Sequence, residues 1–94
     1  MLTLIVKYTV LPQKRKEFVD RLNALQIAEK SRKEHGCCGY DYYLSVDNDN
    51  ELLLVERWQD EQKWKEHTIS SHFQDLVMEK SSYVQSTTVT RLTD

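Results

Sequence analysis

Glycine and proline are scarce, with two of the first and one of the second in 94 residues. No Gly-rich phosphate loop or dinucleotide-binding fingerprint occurs, so a flavin or nicotinamide site of the usual kind is not expected. Cysteine is confined to the adjacent pair Cys37 and Cys38, and neighbouring cysteines rarely meet disulfide geometry. A reducing cytoplasm is the simplest setting for them. Cys-x-x-Cys and His-Glu-x-x-His are both missing. No apolar run approaches the ~20 residues of a membrane helix. The opening Met1-Leu2-Thr3-Leu4-Ile5-Val6 has no basic region or cleavage site, so no signal peptide is expected. Charge is balanced, with 13 Lys+Arg against 15 Asp+Glu. Such a chain has no field to gather nucleic acid or anionic lipid, and neither partner is expected.

What is present reads as one domain over residues 1–94, with 39% hydrophobic and 30% charged residues. Residues 2–10 alternate, with Leu2, Leu4, Val6, Tyr8 and Val10 on one face, and Pro12 stops the strand. From Gln13 to Lys33 the spacing of Phe18, Leu22 and Leu25 predicts one amphipathic helix, ended at Gly36. Residues 39–46 and 51–58 predict a hairpin around Asp47-Asn48-Asp49-Asn50. Asp60 is placed to cap a helix over 61–67, and Ser70 or Ser71 to cap a second piece through Lys80. A threonine-rich strand over 84–92 closes the chain.

The order β-α-β-β-α-β predicts an α+β ferredoxin-like fold, a four-stranded antiparallel sheet with helices on one face. The third strand is apolar on both faces, Leu52 and Leu54 on one, Leu53 and Val55 on the other. Helices can cover only one of these. The second face calls for the sheet of another copy, so a homodimer joined through the sheet face is expected.

Few residues carry chemistry. His35 reads as a surface residue at a helix end. His67 shares a helical stripe with Trp64, and His72 sits where a helix restarts, a position that favours neutral imidazole. Five residues and a helix break between them make poor spacing for a metal, and none is expected. Glu56 shares a strand face with Trp58, either ion-paired (to Arg57 or Arg91) or poised in a cavity with an altered pKa. Tyr40 and Tyr42 share a face, with Tyr43 opposite. Cys37 and Cys38 follow a helix C-terminus, which raises a thiol pKa rather than activating it.

The blocks MLTLIVKY, EHGCCGY and VERWQDEQKWKEHTISSHF resemble the antibiotic-biosynthesis monooxygenase family, nearest to its bacterial quinol monooxygenases. The last block is the most specific, since Glu56, Trp58, His67, His72 and Phe73 match in order and spacing. The resemblance implies a dimeric α+β barrel with a cleft between sheet and helices. It also implies oxidation of a small quinol-like or polyphenolic substrate by O2 without flavin, metal or other cofactor. A deprotonated quinol in an apolar cleft can pass an electron to oxygen directly, given a base and a dry aromatic box. His67 or His72 would then be base or hydrogen-bond donor, with Trp58, Phe73, Tyr42 and Glu56 about the substrate. Lys7, His67 and Val77 stand where the haem-degrading relatives have their functional residues, which disfavours haem degradation. Two other functions stay open. An isomerase of a phosphorylated metabolite needs cations such as Lys7 or Arg57 turned into the cleft. A non-catalytic binding or stress protein is favoured if side chains leave less than the ~300 Å³ a ligand pocket usually needs.

Overall fold

The alternation of the first strand is followed faithfully in the computed structural model, which describes all of residues 1–94. Strand β1 (Leu2–Val10) buries every second residue from Leu2 to Val10. It is followed by α1 (Arg15–Ala24), α2 (Ile27–Arg32), β2 (Cys37–Leu44), β3 (Glu51–Trp58), α3 (Glu61–Thr68), α4 (Ser71–Tyr83) and β4 (Val84–Thr93). The sheet runs β2-β3-β1-β4 with every pair antiparallel. The two most apolar strands therefore lie at its centre, as the ferredoxin-like order requires.

The inward row of β1 meets Leu52, Leu54 and Trp58 of β3, Tyr40 of β2, and Phe18, Leu22, Ile27 and Leu76 from the helices in one buried core. Register places Leu4, Glu56 and Tyr40 side by side across three strands, and Val6, Leu54 and Tyr42 in the next row. A carboxylate thus lies in the middle of the apolar face. On the opposite face Ile5, Leu53 and Val55 are only half-buried, and Tyr43 and Leu92 are exposed.

The continuous helix expected over 13–33 is interrupted. Gln26 adopts left-handed φ 56 and separates α1 from α2. Continued without a break, the Phe18-Leu22-Leu25 stripe would next point Glu29 and Arg32 at the sheet. The break turns the second segment so that Ile27, Ala28 and Ser31 are buried instead. Avoiding two buried charges outweighs the cost of one strained residue. Strand β2 also begins at Cys37, two residues earlier than its alternation predicts.

The expected caps form. Asp60 accepts from the Lys63 N–H and Ser70 from the Phe73 N–H, each at its helix start. Arg15 Nη1 donates to the carbonyls of Ser45, Asn48 and Glu51 and so braces the hairpin turn. Gly36 has φ +94, and a Cβ there would run into the Lys63 side chain. Gly36→Ala should lower stability by roughly 1–3 kcal/mol through backbone strain and this overlap. A fall of under about 3 °C in Tm would show that the turn tolerates a side chain.

Candidate functional site

Two neighbouring features on the buried sheet face make up the candidate site: a small cavity and a polar cluster behind it. The cavity lies between the β1–β4 side of the sheet and helix α4 and has a volume of about 140 Å³. Leu4, Val6, Tyr8, Trp64, Phe73 and Leu76 supply apolar walls, and the exposed Val77 and Val89 line it too. Its ionisable lining comprises Glu56, Tyr8 and Lys80. The Lys80 ammonium stands 5.3 Å from the centre of the Tyr8 ring. Other hollows, one beside Lys7 and Leu53 and one beside Arg32 and Cys38, touch neither Glu56 nor the two buried histidines.

Glu56 is 6% exposed and has no Lys or Arg partner. The ion pair with Arg57 or Arg91 within the chain does not form. Arg91 engages Glu61 and stands over the Trp64 ring, while Arg57 points outward into solvent. Glu56 Oε1 instead accepts from the Trp58 indole N–H at 2.9 Å. Burial pushes its carboxyl up to about 7, the Trp58 hydrogen bond pulls it down, and the charge of Glu34 pushes it further up.

Behind Glu56, and outside the cavity lining, sits His67 at 1% exposure. Its ring packs at 4.7 Å from that of Trp58, 5.3 Å from Phe73 and 5.7 Å from Tyr40. Trp58 and Phe73, expected as walls around a substrate, therefore pack on an imidazole, with Tyr40 rather than Tyr42 beside them. Burial lowers the His67 pKa, opposed by Glu34. His67 Nδ1 lies 2.5 Å from Glu34 Oε2, and His72 Nε2 lies 2.7 Å from the same oxygen. The two histidines do come together, although five residues and a helix break separate them, because one carboxylate collects both.

Of the expected site residues, Glu56 and Phe73 line the cavity, whereas His67, His72, Trp58 and Tyr42 do not. Tyr42 packs edge-on against Tyr40 at 5.8 Å. Sequence reasoning does not single out Glu34. Its only trace in the sequence is its position two residues before Gly36, in the EHGCCGY block. Glu34, His67 and His72 are also the one group whose ligand atoms lie close enough to consider for a metal. Ligands of one ion at ~2.1 Å each stand about 3 Å or more apart, so contacts of 2.5 and 2.7 Å are hydrogen-bonded spacings. His35 is exposed as expected. The Cys37 thiol is pushed up, chiefly by burial.

The antibiotic biosynthesis monooxygenase family model matches residues 1–78. The Bacillus subtilis (strain 168) protein named "Putative monooxygenase YcnE" is 35% identical over 77 residues, covering 82% of this chain and 79% of that one. A solved Pseudomonas aeruginosa protein is 26% identical with a TM-score of 0.88, covering 99% of this chain and 92% of its own. A Nitrosomonas europaea structure reaches a TM-score of 0.91 at 18% identity, covering 100% and 98%, a likeness of fold alone.

The raised Glu56 pKa makes a prediction about stability. Between its ordinary 4.5 and about 7 the folded state holds a proton that the unfolded state has released. Stability from this group is thus complete below pH 4.5 and is lost as pH rises to 7 and beyond. Glu56→Gln removes the titration while keeping an acceptor for Trp58. Relative to wild type it should gain roughly 3 kcal/mol between pH 4 and pH 8 in urea unfolding. A pH-independent difference would mean that Glu56 titrates normally.

Proposed function

The chain belongs to the antibiotic biosynthesis monooxygenase family, and on that footing we propose that it oxidises a small single-ring quinol-like phenol with O2 in the cavity above Glu56. One observation carries this reading: an unpaired carboxylate with a pKa of about 7 in a cavity that is otherwise mostly apolar. A general base works best when its pKa lies near the operating pH. Glu56 takes a phenolic proton, and the electron-rich phenolate then reacts with oxygen beside Phe73 and Trp64. One oxygen atom enters the ring and the other leaves as water. The quinol itself, ending as a hydroxyquinone, supplies every electron that reduces O2. In this reading no flavin, nicotinamide or metal has an electron to deliver.

The volume supports a small substrate. The hollow of about 140 Å³ is open at the Val77 and Val89 side, and its enclosed part suits one ring with substituents reaching outward. The same figure, short of the ~300 Å³ common for ligand sites, favours a non-catalytic binding protein as the second reading. The isomerase reading gains nothing from Lys7 and Arg57, which lie on the exposed outer face of the sheet.

Oxygen uptake should appear with single-ring quinols and be weak with fused three-ring ones. Glu56→Gln should lower kcat at least about 100-fold, the usual span of general-base catalysis being 10²–10⁴. No uptake on any quinol would overturn the oxygenase reading, and an unchanged rate would remove Glu56 from it.

The homodimer belongs to the same proposal. Ile5, Leu53 and Val55 on the outer face are half-covered with no helix above them, and Tyr43 and Leu92 extend that apolar patch. A second sheet packed there would bury them. Sedimentation at micromolar concentration should return twice the 11.2 kDa chain mass, and a mass of one chain would refute the dimer.

A further inference from the structure

One buried nitrogen in the polar cluster has nothing to bond to. His67 Nε2 lies fully inside the protein without a hydrogen-bond partner. Its nearest acidic neighbour is Glu56 Oε1, 4.0 Å away. The other nitrogen of the same ring, Nδ1, reaches Glu34 Oε2 at 2.5 Å. An imidazole with a hydrogen on Nδ1 and a bare lone pair on Nε2 satisfies both facts: it donates to Glu34 and leaves its acceptor facing Glu56. Glu56 Oε1, which also accepts the Trp58 indole N–H at 2.9 Å, is the nearest proton source. Because 4.0 Å exceeds a hydrogen bond, its proton can pass only when the two side chains move closer.

The order of groups is carboxyl, imidazole, carboxylate, running outward from the cavity. Side-chain exposure is 8% at Glu56, 1% at His67 and 18% at Glu34. His72, through Nε2 at 2.7 Å, fixes the Glu34 oxygen from the start of α4, and Ser70 Oγ lies 3.3 Å from the same nitrogen. Imidazole is suited to the middle place because it can accept a proton on one nitrogen while releasing one from the other.

We propose that Glu56, His67 and Glu34 form a proton path between the cavity and solvent, with His72 as the positioning residue that holds its outer end. Outward, Glu56 gives its proton to His67 Nε2, the Nδ1 hydrogen passes to Glu34, and Glu34 releases it to water. The imidazole is left with its hydrogen on Nε2. Inward, a proton from water follows the same groups in reverse and restores the original tautomer, so one passage each way closes a cycle. An oxidation that removes a phenolic proton and later forms water needs both passages. That use rests on the proposed oxygenase function; the path itself does not.

Other ionisable groups near Glu56 offer no equivalent route. The hydroxyls of Tyr8 on β1 and of Tyr40 and Tyr42 on β2 are held protonated by burial. The Lys80 ammonium on α4 lies over the Tyr8 ring. The lowered pKa of His67 keeps its imidazole neutral, with a lone pair free to receive.

The test needs no substrate, so it stands or falls apart from the oxygenase assay. ¹⁵N NMR of the full chain should show His67 with hydrogen on Nδ1 and none on Nε2 near neutral pH. Exchange of that hydrogen with water should be faster than exchange of core amides such as that of Leu54. Glu34→Gln, which can still hydrogen-bond but cannot carry a proton, should slow it at least tenfold with core amides unchanged. A loosened fold would speed the exchange, so the sign separates the two causes. Unchanged or faster exchange in Glu34→Gln overturns the path. So does a wild-type His67 with hydrogen on both nitrogens from pH 6 to 8, a readout that survives even if the variant fails to fold.

Discussion

A single oxygen atom, Oε2 of Glu34, organises the helical end of this molecule. It lies in the turn after α2 and receives one imidazole from the last turn of α3 and another from the first turn of α4. Three segments that share no regular hydrogen bonding are thereby pinned at one point. Hydrogen bonds to an ionised group are shorter and stronger than neutral ones. Removing the carboxylate would leave the buried His67 ring with no hydrogen-bond partner and His72 Nε2 with only the Ser70 hydroxyl, which is costlier than the mean value of a hydrogen bond suggests. Ser70, which caps α4 through the Phe73 N–H, also donates its hydroxyl to the His67 carbonyl and ties the two helices beside the Glu34 oxygen.

Once His67 is fixed, the aromatic residues have little freedom. Trp58, Tyr40 and Phe73 close around the imidazole, and Trp58 turns its N–H to Glu56. Glu56 thus receives one neutral donor and no cation on a sheet face otherwise built for burial. A charged group in that setting breaks the pattern of the strand that carries it, and such departures concentrate where a protein does chemistry. Burial is the dominant cause of its altered acidity, so the cavity beside it and its titration have a common origin. The Glu34 carboxylate, which organises the cluster, also adds to that shift. Anchor and candidate base are therefore electrostatically linked.

Much of this architecture is legible in the sequence because it depends on periodicity and local chemistry. The alternation of β1, the two-faced β3, the Asp-Asn turn and the caps at Asp60 and Ser70 are each encoded within about ten residues. The interruption at Gln26 is less visible. Phe18, Leu22 and Leu25 set a helical stripe that looks able to run on, and only its meeting with the sheet exposes the cost of burying Glu29 and Arg32. The resemblance in the Glu56–Phe73 block brought the right residues to notice but gave no account of how they would face one another.

The sequence by itself determined the element order, the central place of β1 and β3 and the sheet face on which Glu56 and Trp58 lie, since side-chain direction in a strand follows parity. It also brought His67 and His72 into the same short stretch. Tertiary structure decided which groups reach the cavity and which stand behind it. Glu34 lies 33 residues from His67 and 38 from His72, and no local spacing rule links positions so far apart. Only the closing of the α2–β2 turn against α3 and α4 makes that carboxylate their common partner. It leaves Glu56, rather than an imidazole, at the cavity wall.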